Sequence, residues 1–280
     1  MKKLLVIVLL LGLAAGLFAC VEKEKEEEDE TEPWQAELAA KYPFTYRAGG
    51  VTIRYYVENG MAFVDTESTW TPDGDSDGTF IVPAAIDGLP VRWAWDDADD
   101  EEVVLRKLHC TELIVSAGVR AVNMDLSSAE VVRLGPDVES FAVSRGAVDR
   151  IEVDPASRHL SGIDGVLFSK DGTVLLQYPT GSQAERYVLP GSATEFGSWA
   201  IWFTRPVALR EVVVPPGVTA FPASLDELIN TVGYQLTFVA APGSAAQAWF
   251  TEQAQSEAYT SAMEESGVEP FLLRIEEFAE

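Results

Sequence analysis

Hydrophobic residues recur along this chain in a short, fixed phrase. Its clearest copy, LREVVVPPGVTAF, places Leu209, Val212, Val214, Val218 and Phe221 at offsets 0, 3, 5, 9 and 12, with Pro215 at offset 6. The same offsets select Cys110, Leu113, Val115, Val119 and Val122, then Ala129, Val132, Leu134, Val138 and Phe141. They also select Ala184, Tyr187, Leu189, Ala193 and Phe196, and weaker copies begin at Asp77, Val148 and Gly233. Offsets 3 and 5 share one face of a strand, because side chains alternate with period 2. Offset 0 turns inward before the strand, and offsets 9 and 12 return after it. Each unit can bury its apolar face only against its neighbours, which is the logic of a solenoid.

The offset-5 residues serve as a ruler: Val82, Val115, Leu134, Val153, Leu189, Val214 and Phe238, separated by 33, 19, 19, 36, 25 and 24 residues. Spacings near 20–29 suit a leucine-rich coil, and the two long ones carry insertions. Residues 151–222, with their I-x-x-P-x-x-V-x-x-F unit and the IDGVLFSKDG segment at 163–172, resemble the BspA-like leucine-rich repeat family of bacterial surface proteins. PGSAAQAW at 242–249 resembles that family's terminal cap. The resemblance extends over about residues 77–255, but the family's alanine–phenylalanine pair is missing after most rungs, which leaves the convex side open. It implies a mainly β chain with some α, built as a leucine-rich-repeat-like solenoid of about seven short strands. It also implies adhesion to host or neighbouring-cell proteins. A β-sandwich of short, evenly spaced strands is the competing architecture.

The flanks follow from local signals. Residues 1–19 have a basic head at Lys2 and Lys3 and an apolar run at Leu4–Leu17, too short to span a bilayer permanently. Leu17-Phe18-Ala19-Cys20 resembles a bacterial lipobox, which implies a thioether-linked lipid on Cys20 and a membrane partner through that anchor. Residues 20–42 hold the lipidated cysteine and a tether whose VEKEKEEEDETEP segment is too polar to fold. Its thirteen residues reach about 40 Å. Residues 43–76 form an N-terminal cap, read from a hairpin at Asn59-Gly60 between alternating apolar runs. The solenoid then occupies 77–241, with a hairpin insertion at 154–186 turning at Asp171-Gly172. The capping segment is 242–280, where Ser244 and Gln247 make a capping box before a helix, and VEPFLLRIEEF offers a last strand.

Charge narrows the partners. Removing residues 1–19 leaves 18 basic against 45 acidic residues, a net charge of −27. Such a surface disfavours nucleic acid and anionic lipid and favours basic partners or divalent cations. Asp73, Asp75 and Asp77 in DGDSDG match the first half of a calcium loop, but the position-12 glutamate is replaced by Ala84. Calcium there stands against the alternative of a solvated acidic loop between strands. Cys110 occupies a core offset and reads as an inert buried thiol. His109 and His159 lack metal-ligand spacing, and the chain has no nucleophile elbow, phosphate-binding loop or dinucleotide fingerprint. Trp93 and Trp95 face one way and offer either a sugar platform or cover for the end of a core.

Offset 4 lies between the two inward positions and is expected to face outward. Down the stack it reads Ile81, Ile114, Arg133, Glu152, Val188, Val213 and Thr237. Its aliphatic members are explained either by strand propensity or by a partner surface, with Ile114, Val188 and Val213 rimmed by Arg133, Glu152, Arg186 and Glu211. The sequence therefore predicts a non-enzymatic, lipid-anchored envelope protein with a protein-binding or adhesion role. Its protein partner is not legible. The alternative is a structural envelope scaffold without an external ligand.

Overall fold

The first sheet is organised by the Asn59-Gly60 turn. Both residues adopt positive φ, 47° and 75°, which Asn and Gly tolerate. β2 (Val51–Glu58) therefore folds directly back on β3 (Met61–Asp65), with Glu58 opposite Met61. β1 (Phe44–Ala48) and β4 (Trp70–Pro72) both pair with β2. Alternation along β2 buries Val51, Ile53 and Tyr55 on one face. β5 (Thr79–Val82) leaves this sheet for the next one, and Gly50 N–H donates to Thr79 O across its edge at 2.7 Å. β6 (Ala85–Ile86) and β7 (Leu89–Ala94) then form another tight hairpin on Asp87-Gly88, and β7 lies parallel to β3. The sheet expected to end near residue 76 thus recruits residues 85–94.

This computed structural model describes residues 37, 39–65, 70–72, 78–94, 102–125, 127–144, 146–203, 207–229 and 235–278. The expected signal peptide, Cys20 and most of the tether lie outside them, as do Asp73, Asp75, Asp77 and Trp95. From Lys41 onward the chain forms one unit, mainly β with few helices.

The middle of the chain winds back and forth between two parallel ladders. Its strands are β8 (Glu102–Arg106), β9 (His109–Val115), β10 (Ala121–Asp125), β11 (Ser128–Leu134), β12 (Ser140–Val143) and β13 (Ala147–Val153). One ladder has the order β13-β11-β9-β5 and stacks Phe80, Leu113, Val132 and Ile151 in a single buried row. The other has the order β12-β10-β8 and stacks Val103 on Val122 on Phe141, and Leu105 on Met124 on Val143. This second ladder fills the side that the sequence left open. Val122 and Met124, like Phe141 and Val143, alternate inward with period 2, so a strand forms there and not a helix.

Where the chain turns from one ladder to the other, the coils approach very closely. Ser127 is fully buried; its hydroxyl accepts from Leu108 N–H at 3.0 Å and donates towards Leu105 O at 2.9 Å. One coil later the equivalent residue is Gly146, where a Cβ would sit 1.9 Å from Ser127 O. The corner continues to Thr180, whose hydroxyl accepts from Val148 N–H and donates to Gly146 O.

The segment read as an insertion has a larger role. It contains β14 (Leu160–Ile163), β15 (Val166–Ser169) and β16 (Val174–Gln177), an antiparallel set with a tight turn at Asp164-Gly165 in addition to the one around Asp171-Gly172. β15 is buried on both faces. Leu167 belongs to the core of the first ladders, while Val166 and Phe168 belong to a second core. The segment is therefore a shared wall between two cores.

The second core is closed by β17 (Arg186–Val188), β18 (Glu195–Phe196), β19 (Glu211–Val214), α1 (Leu225–Leu228), β20 (Leu236–Ala240), α2 (Ala245–Gln253), α3 (Glu257–Ser266) and β21 (Phe271–Ile275). β17, β19, β20 and β21 form a parallel ladder, and β18 pairs with β16. The register corrects the ruler at its last rung. Val212 lies opposite Phe238 and Val214 opposite Ala240, so the outward neighbour of Val213 is Val239 and not Thr237. The slip is two residues, and because the period is also two, the buried face is preserved. α2 begins at Ser244, which accepts from Gln247 N–H at 3.2 Å, and its Phe250 stacks on Phe238 with ring centroids 4.2 Å apart. β21 realises the last strand read from VEPFLLRIEEF.

Candidate partner-binding surface

The outward column of the central ladder is built by register. Ile81 lies beside Ile114, Ile114 beside Arg133, and Arg133 beside Glu152, each on an adjacent strand. Two residues earlier, Glu112, Val131 and Arg150 form the neighbouring row on the same face. Arg133 is centred between the strands on either side, with Nε donating to Glu112 Oε1 and Nη1 to Glu152 Oε2. Arg150 Nε completes the series with a 3.0 Å bond to Glu152 Oε1. Ile114, Arg133 and Glu152 border a shallow groove of about 370 Å³ at the C-terminal ends of these strands, which Asp154 and Pro155 close. The face combines aliphatic and charged side chains on one ladder, and its charges are matched in alternating sign.

The β17-β19-β20-β21 ladder carries the other expected residues, and there the expectation fails in part. Val188 is 52% exposed, in keeping with an outward position. Val213 is 2% exposed and Val239 fully buried, so Val213 is removed from the candidate surface. The reason lies in the rows. Arg186, Glu211, Thr237 and Leu272 form one, and Val188, Val213, Val239 and Arg274 the next. Glu211 accepts from Arg186 Nε at 2.6 Å and from Arg274 Nη2 at 2.7 Å. Arg274 must cross the outward face of β20 to make that contact, so two guanidinium groups converge over β19. Partial desolvation pushes the Glu211 carboxyl up, but the two arginines outweigh it and hold it below the usual carboxylate range.

Cys110 sits at the opposite end of the central ladder, half-buried, beside His109, whose Nδ1 lies 2.7 Å from Ser128 Oγ. Burial, aided by the Glu112 charge, pushes its thiol up to about 12, so the inert reading fits its surroundings. Among the described residues, no group of three or more histidine, cysteine or acidic side chains is placed to hold a metal ion. The calcium expectation at Asp73, Asp75 and Asp77 falls outside those residues.

No protein-family model matches the chain, and no curated protein matches it. Among solved structures it is similar to the pneumococcal vaccine antigen PcpA, at 11% identity and a TM-score of 0.28 over 85% of this chain and 100% of that one. It is also similar to a leucine-rich repeat protein from Eubacterium ventriosum, at 13% identity and a TM-score of 0.30, covering 72% of this chain and 74% of that one. A leucine-rich cell surface protein from Faecalibacterium prausnitzii is similar at 11% identity and a TM-score of 0.25, covering 72% and 77%.

The structure brings Ile114, Arg133 and Glu152 together and places Arg186 beside Glu211, but the two groups belong to different ladders. Sequence reading missed Glu112, Arg150 and Arg274. The first two sit at offset 2, which has the same parity as offset 4 and was available from the repeat itself. Arg274 had no such signal, because β21 joins the ladder only after two intervening helices.

Proposed function

We propose that this chain is a lipid-anchored cell-envelope protein of leucine-rich-repeat type with a protein-binding or adhesion role. In this reading the parallel ladders are a solenoid. The Asn59-Gly60 sheet caps its first edge, and the helices after Ser244 close its last core. The supporting observation is the outward row Ile114–Arg133–Glu152, which strand register aligns beside a groove on a rigid sheet. An aliphatic contact rimmed by ordered charges is the usual composition of a protein-binding patch. The lipid anchor is supported by Leu17–Cys20 and by the acidic tether. None of the helices among the described residues is long and apolar enough to cross a membrane.

Two measurements test this. Replacing Cys20 with Ala should release the protein from the membrane fraction or block its processing. A wild-type protein that partitions into the aqueous phase of a detergent extraction would overturn the anchor. A photo-reactive residue at 114 should trap a second protein on intact cells, and Arg133→Gln should weaken that product while costing no more than about 1 kcal/mol of stability, the scale of exposed ion pairs. Labelling that ignores Arg133→Gln would remove the ladder face from the binding role and favour the scaffold.

A further inference from the structure

A second surface, distinct from the ladder face, lies at the turn after β18. Trp199 is 48% exposed and has φ of +65°. A bulky side chain in left-handed backbone is an outlier, and such residues persist only where the surroundings over-determine them. They do so here. Trp199 N–H donates to Glu227 O, the adjacent Ala200 is fully buried, and Ala200 O accepts from Tyr178 N–H at 2.8 Å. Glycine would relieve this turn, and the chain has tryptophan. The indole it holds in solvent meets Trp202 edge to face, with centroids 4.5 Å apart and planes at 84°. The two rings thus form a right-angled aromatic corner. Ser198, next to Trp199, brings its hydroxyl within 3.4 Å of the Glu227 carboxylate, which places an acid at the rim.

We propose that the Trp199–Trp202 corner, with Glu227, seats a cationic side chain, lysine or arginine, of a basic protein partner. Indole faces carry negative potential that attracts an ammonium or guanidinium group, and perpendicular faces concentrate it. A carboxylate at the rim adds a direct countercharge. The chain without residues 1–19 carries a net −27, which steers cations towards it. The site does not depend on the Ile114–Arg133–Glu152 surface and can fail or survive separately from it.

The test uses the full chain in detergent, with a short glycine–arginine peptide as probe and its uncharged citrulline counterpart as control, read by isothermal titration calorimetry. The arginine peptide should bind about tenfold more tightly than the citrulline peptide, and Trp199→Ala or Glu227→Gln should remove that advantage. Trp199→Gly relieves the backbone as it deletes the indole, so it should keep the melting temperature while losing the peptide. Glu264→Gln, an exposed acid on α3, controls for overall charge and should leave binding unchanged. Equal losses at Glu264 and Glu227 would mean general electrostatics and overturn the site. So would arginine binding that survives Trp199→Gly. Saturable binding of neutral oligosaccharides at this corner, with no preference for arginine over citrulline, would assign it to glycans instead.

Discussion

If β15 is a shared wall, removing one side chain from each of its faces should damage different cores but one folding transition. Leu167 and Phe168 are adjacent and both fully buried, yet Leu167 packs in the first core and Phe168 in the second. Truncating a buried leucine to alanine costs about 2–5 kcal/mol and a buried phenylalanine about 3–5 kcal/mol, through lost transfer energy plus the cavity left behind. At about 3 kcal/mol apiece, each variant should melt about 6–12 °C below wild type in a chain of this size. The side chains point in opposite directions and share no cavity, so the double variant should lose the sum to within about 0.5 kcal/mol. A loss of about 6 kcal/mol approaches the whole stability of many domains. Urea and thermal unfolding, followed in parallel by far-ultraviolet circular dichroism and tryptophan fluorescence, would report both quantities. The expected result is one coincident transition, shifted by each substitution. Two resolved transitions, with Leu167→Ala moving only one and Phe168→Ala only the other, would refute the shared wall and divide the chain into independent halves.

Three further outcomes follow from single contacts. Gly146→Ala places a methyl 1.9 Å from Ser127 O and should cost about 3 kcal/mol or more in urea unfolding, whereas Ser127→Ala, which strands Leu108 N–H, should cost about 1–3 kcal/mol; a neutral Gly146→Ala would refute the close approach. Val213→Lys should unfold the protein because the charge enters a site that is 2% exposed, while Val188→Glu, at 52% exposure, should leave the melting temperature unchanged; equal behaviour would refute the burial difference. Glu211 has a lowered carboxyl pKa, so its stabilisation is present above the unfolded value of about 4.3 and is lost as pH falls through the folded value. Glu211→Gln should therefore be less stable than wild type at neutral pH, with the two converging in acid; a gap that persists in strong acid would show that charge is not its source.

The parts of the fold legible in the sequence are those set by local period and turn chemistry. The inward rows at Val115, Leu134 and Val214 follow from alternation alone, and Asn59-Gly60 marks its hairpin because few other pairs accept positive φ at both positions. Asp87-Gly88 and Asp164-Gly165 carry the same signal and form the same kind of turn, and reading them would have located β7 and β14. The β12-β10-β8 ladder is legible too, in the alternation around Val122 and Phe141, although the repeat needs each of them only as a single return to the core. Other features depend on contacts distant in sequence. Val213 looks like an outward residue until Arg274, 61 positions later, arrives over β20. Phe238 fits a rung two residues from its own, because a slip of two leaves every side chain on its original face. The aromatic corner has no periodic signature, since its geometry depends on a turn anchored through Glu227.

Between β9 and β13 the residues paired on both ladders lie 19 positions apart. Chain length in this region therefore behaves like a quantum number. Duplicating or deleting residues 109–127 as one block would add or remove one complete coil, advancing both sheets together and rejoining them in phase. Removing 18 or 20 residues would shift one or both ladders by an odd step and turn inward rows out to solvent. Length variation among natural or engineered versions of this segment should thus come in whole coils, while the surface turns absorb changes of single residues.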